Sequence, residues 1–85
     1  MKAINLLQHT ARVIEDRQGR YGDPELLFEL IAKRWSLVLG IQVSPSQVSL
    51  CLIDLKLARL AANPGHLDSI VDVAGYAALL GELQP

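Results

Sequence analysis

Three breaks rich in glycine and proline divide this chain into four segments, and each segment carries apolar residues at the period of an α-helix. The breaks fall at Gln18-Gly19-Arg20-Tyr21-Gly22, between Gly40 and Pro45, and at Asn63-Pro64-Gly65. Glycine weakens a helix through its backbone freedom, and proline cannot donate the hydrogen bond that would continue one. No segment alternates apolar and polar residues as a half-buried strand does. These features predict an all-α fold, a compact bundle of four helices.

The first helix is expected from about Ala3 to Arg17, with Ile4, Leu7, Ala11 and Ile14 as its inward stripe. The second begins cleanly, with Asp23 as N-cap and Pro24 at the first helical position. Its inward stripe reads Leu27, Ile31, Trp35 and Val38, widened by Phe28 and Leu39. Glu29 and Lys33 are spaced for an i, i+4 ion pair, and Gly40 stops the helix. Ser44 and Gln47 have capping-box spacing at the start of the third helix, with Val43 and Val48 placed as a hydrophobic staple. That helix is apolar on nearly all sides to Ala62, which predicts a central position. The fourth is expected from about Leu67 to Leu83, with Ile70, Val73, Ala77 and Leu80 facing the core. Gly75 inside it predicts a close approach, by another helix or by a ligand.

Length and composition narrow the rest. Eighty-five residues predict one domain, 1–85, near the lower size for independent stability. Eight basic residues against nine acidic ones argue against non-specific nucleic-acid binding, which needs a basic excess, and leave room for a small, locally basic pocket. A chain that is 51% apolar with a net charge of −1 has little to oppose self-association, so a homo-oligomer is expected. The lone Cys51 lies in an apolar run and reads as a buried small hydrophobe. Neither a signal-peptide pattern nor a membrane-length apolar run is visible, so no membrane role and a cytoplasmic location are expected.

The chemistry concentrates near the C-terminus. In a helix, Asp68, Asp72 and Tyr76 share one face at i, i+4 and i+8. Two carboxylates one turn apart repel, and so call for a positive partner. Lys56 and Arg59, at i, i+3 in the preceding apolar helix, supply candidates. The cluster is either a structural salt bridge or a site for a divalent cation such as Mg²⁺, a phosphate, or both. His66 stands at the mouth of the fourth helix and can line the same pocket. Arg20 and Tyr21 precede a helix N-terminus, where a phosphate and a stacked base could be held. A plain turn capped by Asp23 is the simpler reading of that loop. His9 lies on the polar side of the first helix, and Trp35 reads as core. Glu25 and Glu29 form a second carboxylate pair. No nucleophile with its base, no glycine-rich phosphate loop and no helix-turn-helix pattern is present, so no catalytic residue is assigned.

Several of these residues together resemble a family of small proteins of tailed phages and prophages. The resemblance runs over about residues 20 to 80. It is carried by Tyr21-Gly22-Asp23-Pro24, Phe28, Ile31-Ala32, Trp35 and Leu39-Gly40 in the first half. Lys56 through Leu60, Asn63-Pro64, His66, Asp68-Ser69 and Asp72 through Tyr76 carry it in the second. More distantly, the Tyr-Gly loop, the Lys-x-x-Arg helix and the helix with two Asp and a Tyr look like phage nucleotide-modification-associated helical domains. Those in turn look like MazG-like all-α NTP pyrophosphohydrolases. The MazG-like pattern holds Mg²⁺ with Glu-x-x-Glu and Glu-x-x-Asp. Here the acidic pairs are spaced i, i+4 instead.

The leading expectation is a phage-type protein that binds a phosphorylated nucleotide-like ligand. Lys56 and Arg59 would take phosphate, with Arg20 and His66 beside them. Tyr21 and Tyr76 would take base or ribose, and Asp68 and Asp72 would orient the cations or accept ribose hydroxyls. The phage resemblance adds sequestration of a defence signalling nucleotide. Two alternatives stand beside it. One is a Mg²⁺-dependent pyrophosphohydrolase using Asp68 and Asp72 with Glu25 or Glu29. The other is a non-catalytic protein-interaction module.

Overall fold

A computed structural model describes residues 1–85 and contains four α-helices and no strand. They are α1 (Ala3–Tyr21), α2 (Pro24–Leu39), α3 (Pro45–Ala62) and α4 (Leu67–Glu82). The first helix continues through Gly19, past the expected break, and ends at Gly22 with φ +82°. One glycine inside a helix costs only about 1 kcal/mol, which one more turn of hydrogen bonds offsets. The three-residue-type punctuation elsewhere acts as expected. The Asp23 carboxylate accepts the Glu25 amide at 2.9 Å, and Gly40 closes α2 in the left-handed region at φ +70°. Ser44 and Gln47 form a complete capping box, with bonds of 3.1 and 2.9 Å. The Ser36 hydroxyl donates to the Ala32 carbonyl at 2.7 Å and accepts the Val43 amide at 2.9 Å, which pins the α2–α3 turn.

Helix α4 packs on α3 and on α1, while α2 packs on α3. The helices thus follow one another as α1, α4, α3, α2, and α1 and α2 are not packed along each other. A groove remains between them. Around α2 and α3 the core is Phe28, Ala32 and Val48, flanked by Trp35, Val43, Leu52, Tyr76 and Leu79. Trp35 therefore joins the core as expected, and α3 is central in touching both α2 and α4.

Several expected core positions are instead open. Ile4, Leu7 and Ala11 are exposed, and α1 packs through the neighbouring line Leu6, Thr10, Val13 and Ile14. Thr10 can be buried because its hydroxyl donates to the Leu6 carbonyl at 2.8 Å within the helix. Val38 and Leu39 are exposed at the far end of α2, and Phe28 with Ala32 takes the core face. Cys51 is exposed, contrary to the buried position expected, because it lies on the side of α3 away from α2 and α4. Glu29 and Lys33 do not form their ion pair. Gly75 answers to helix packing: a Cβ there would meet Thr10 at 3.8 Å and Ile14 at 4.0 Å, so α1 crosses α4 at this residue.

Candidate functional site

One carboxylate organises the polar side of the α1–α4–α3 junction. Asp72 projects from α4 and is 11% exposed. Its Oδ2 accepts the Lys56 ammonium from α3 at 3.1 Å, and its Oδ1 accepts Arg17 Nη2 from α1 at 3.1 Å. Lys56 is 17% exposed and Arg17 50% exposed, so the first pair is largely covered and the second faces water. A mostly apolar helix such as α3 tolerates a lysine here because the carboxylate is waiting for it.

Around this triad lies a polar pocket of about 420 Å³. Arg17, Lys56 and Arg59 bring three positive charges to it, and Asp68 and Asp72 bring two negative ones. His9 and His66 add two imidazoles. Arg59 and Asp68 have no ion-pair partner, so one guanidinium in the pocket is free to receive an anion. His66 caps α4: its Nδ1 accepts the Ser69 amide at 3.3 Å and lies 2.7 Å from the Ser69 hydroxyl. This satisfies the fully covered Ser69 and fixes the imidazole beside Asp68.

A second, apolar cavity of about 500 Å³ fills the groove between α1 and α2, over α3 and α4. Tyr21 and Tyr76 both line it, with Phe28, Ile31 and Leu79 among its apolar walls. The two cavities share Val13, Arg17 and Val71. The two cavities are therefore adjacent, with Arg17 in their common wall.

The residues expected from the sequence thus divide. Lys56, Arg59, His66, Asp68 and Asp72 meet in the polar pocket, and Tyr21 and Tyr76 meet in the adjoining groove. Arg20 joins neither, since it is exposed and turns to Asp16 at 3.2 Å on its own helix. The cation paired with Asp72 beside Lys56 is Arg17 rather than Arg59. Arg17, His9 and Ser69 were missed. Arg17 continues the packed line of α1, seven residues after Thr10, and a stripe that admitted threonine would have led to it. Nowhere do three His, Cys, Asp or Glu side chains converge closely enough to hold a metal ion between them. Glu25 and Glu29 do not complete the Asp68 and Asp72 pair. No helix is long and apolar enough to cross a membrane.

Fold and site together define a small all-helical protein with a mixed-charge pocket, built where three helices meet. The model of a domain of unknown function, DUF6378, matches residues 5–84, and the chain belongs to that family. Phage proteins are among its relatives. The Gene 55 protein of Mycobacterium phage L5 is 34% identical over 83 residues, covering 95% of this chain and 53% of that protein. The Gene 55 protein of Mycobacterium phage D29 is 35% identical over 74 residues, covering 86% of this chain and 49% of that one. The chain spans about half the length of these curated relatives. No solved structure matches it.

Proposed function

We propose that this phage-type protein binds a phosphorylated nucleotide-like ligand. The phosphate sits in the polar pocket, against Arg59, Lys56 and Arg17, with His66 beside them. The base or ribose lies in the adjoining groove against Tyr21 and Tyr76. Asp72 orients Lys56 and Arg17, and Asp68 accepts a ribose hydroxyl. The observation that carries this reading is the unpaired Arg59 in a polar pocket that shares a wall, Val13, Arg17 and Val71, with an apolar groove lined by two tyrosines. Guanidinium groups suit phosphate because their planar donors match two of its oxygens at once. Sequestration of a defence signalling nucleotide in the host cytoplasm is the biological form of this reading and rests on the phage kinship, while a homo-oligomer rests on the apolar composition and the net charge of −1.

A thermal-shift screen of inorganic phosphate, nucleoside phosphates and cyclic nucleotides tests it. The best ligand should raise the melting temperature of the native chain, and the shift should vanish in Arg59→Ala and shrink in Arg17→Ala. If Lys56→Ala and Arg59→Ala leave every ligand shift unchanged, the pocket is in the wrong place. A Mg²⁺-dependent pyrophosphohydrolase has less support, because the four carboxylates it needs do not assemble. Release of pyrophosphate from a nucleoside triphosphate, lost in Asp72→Asn, would favour it all the same. For a non-catalytic interaction module, the support is the large share of apolar side chains left at the surface.

A further inference from the structure

The outward face of α2 bears an apolar stripe that nothing in the chain covers. Leu26, Leu30, Lys33 and Leu37 are all exposed and follow one another at steps of 4, 3 and 4 residues. On a helix these four lie within about 60° of one another, opposite the face that carries Phe28 and Ala32. Leu37 is 79% exposed and the neighbouring Val38 81%. Steps of 4 and 3 are the spacing with which two helices interlock along a seam.

The size of the exposed surface says how much cover is wanting. A compact monomer of 9.3 kDa has about 5,000 Å² of accessible surface. This chain has 5945 Å². The excess matches the roughly 800 Å² that each partner buries in an interface of standard size. Its radius of gyration, 13.6 Å, likewise exceeds the about 12 Å expected for this length.

The charges on α2 select the occupant. Glu25 and Glu29 stand in its first half and Lys33 and Arg34 in its second, all exposed and none in an ion pair. Such a helix is complementary to itself when reversed. We infer that a second copy of this chain docks on the stripe, α2 against α2, antiparallel about a two-fold axis between Ile31 and Ala32. Leu26 then meets the partner's Leu37, and Leu30 lies against the stem of the partner's Lys33. Lys33 brings its ammonium to the partner's Glu29, and symmetry repeats each contact. A parallel arrangement is disfavoured because it sets Lys33 against its own copy in the seam. The antiparallel one also opposes the two helix dipoles favourably. Residues of the phosphate pocket lie on α1, α3 and α4, so this inference stands apart from the ligand reading.

Sedimentation equilibrium of the native chain at micromolar concentrations tests it. The expected mass is twice 9.3 kDa. Leu30→Asp and Leu37→Asp alter side chains that are exposed in the single copy, so the helical circular dichroism should persist. Each should raise the dissociation constant by about 30-fold or more, as loss of a central interface anchor does. Glu29→Lys should weaken the dimer, and Glu29→Lys combined with Lys33→Glu in the same chain should restore it. A mass of 9.3 kDa at every concentration overturns the inference. That is the result expected if residues present only in the longer relatives cover the stripe. A dimer indifferent to both aspartates overturns it as well, as does a double charge reversal no better than the single one. Phosphate shifts in the Leu30→Asp monomer report separately on the pocket.

Discussion

The Asp72–Lys56 pair should be worth about 2 kcal/mol to the fold, and most of that should appear as coupling between the two side chains. Fully exposed pairs contribute about 0.2 to 1 kcal/mol, and breaking a fully buried one costs about 3 to 5. With 11% and 17% of their side chains exposed, Asp72 and Lys56 lie between these limits, nearer the buried one in cover but at the edge of a pocket that admits water. Arg17 is half exposed, so its own bond to Asp72 adds only about 0.5 kcal/mol. Asp72→Asn removes the carboxylate charge and leaves Lys56 covered and unpaired. Lys56→Met leaves Asp72 its bond to Arg17 and so costs less. In the double variant no uncompensated charge remains, and its loss should fall short of the sum of the single losses by about 1 to 2 kcal/mol. Urea unfolding followed by circular dichroism reads these values, at one fixed protein concentration so that self-association cannot intrude. In a domain of this size, about 2 kcal/mol corresponds to a fall of roughly 8 to 16 °C in melting temperature. Losses that add within about 0.3 to 0.5 kcal/mol would refute the reasoning, because independent sites behave that way.

Other consequences follow from the packing. The fully covered Ser49 hydroxyl donates to the Tyr76 carbonyl at 2.8 Å and ties α3 to α4, so Ser49→Ala should cost about 1 kcal/mol in the same urea assay. Gly75→Ala should be tolerated or stabilising by up to about 1 kcal/mol, since its methyl would meet Thr10 and Ile14 at ordinary contact distances; a marked fall in melting temperature would show that α1 and α4 approach more closely than 3.8 Å. Amide hydrogen exchange should be fastest in α1, which packs mainly on α4 and buries only Thr10, and slowest where α3 meets α4. Equal protection of α1 and α3 would contradict that order.

The helices were legible because their ends are written in short-range chemistry. Asp23-Pro24, the Ser44–Gln47 box and Asn63-Pro64-Gly65 act through neighbours in the chain, and the structure uses each of them. Which face of a helix is buried is a long-range matter, and there the sequence misled. On α1 an apolar line through Ile4 and Leu7 competes with one through Leu6 and Thr10. The second wins because Gly75 offers α1 a place to lie against α4, and Thr10 satisfies its own hydroxyl there. Arg17 was hidden by the same choice, since its position depends on the Thr10 face. Lys56 and Arg59 could be set against Asp68 and Asp72 as candidate partners because a cation in so apolar a helix calls for a carboxylate, but which of them pair could not be read. The exposure of Cys51 could not be read from the sequence, because a helix apolar on nearly all sides gives no sign of which side is left to solvent.

The pocket and the stability of the fold depend on the same carboxylate, and this limits what a ligand can do there. Asp72 joins α1 to α3 through Arg17 and Lys56, while α1 and α2 are not packed along each other. An anion that took both cations away from Asp72 would set that carboxylate free beside Asp68, one turn away on α4. Two unpartnered carboxylates so placed repel, and one of them is mostly covered. An anion that engages Arg59 first avoids this cost, because that guanidinium gives up no ion pair to receive it. Arg17, half exposed and weakly held, can then share its donors between Asp72 and the anion. Lys56 keeps its bond to Asp72 and has further ammonium donors for the anion. If the pocket takes a phosphate as proposed, Arg59 would govern affinity, Arg17 would be shared between Asp72 and the ligand, and Lys56 would add its charge to the site while holding α3 to α4 through Asp72.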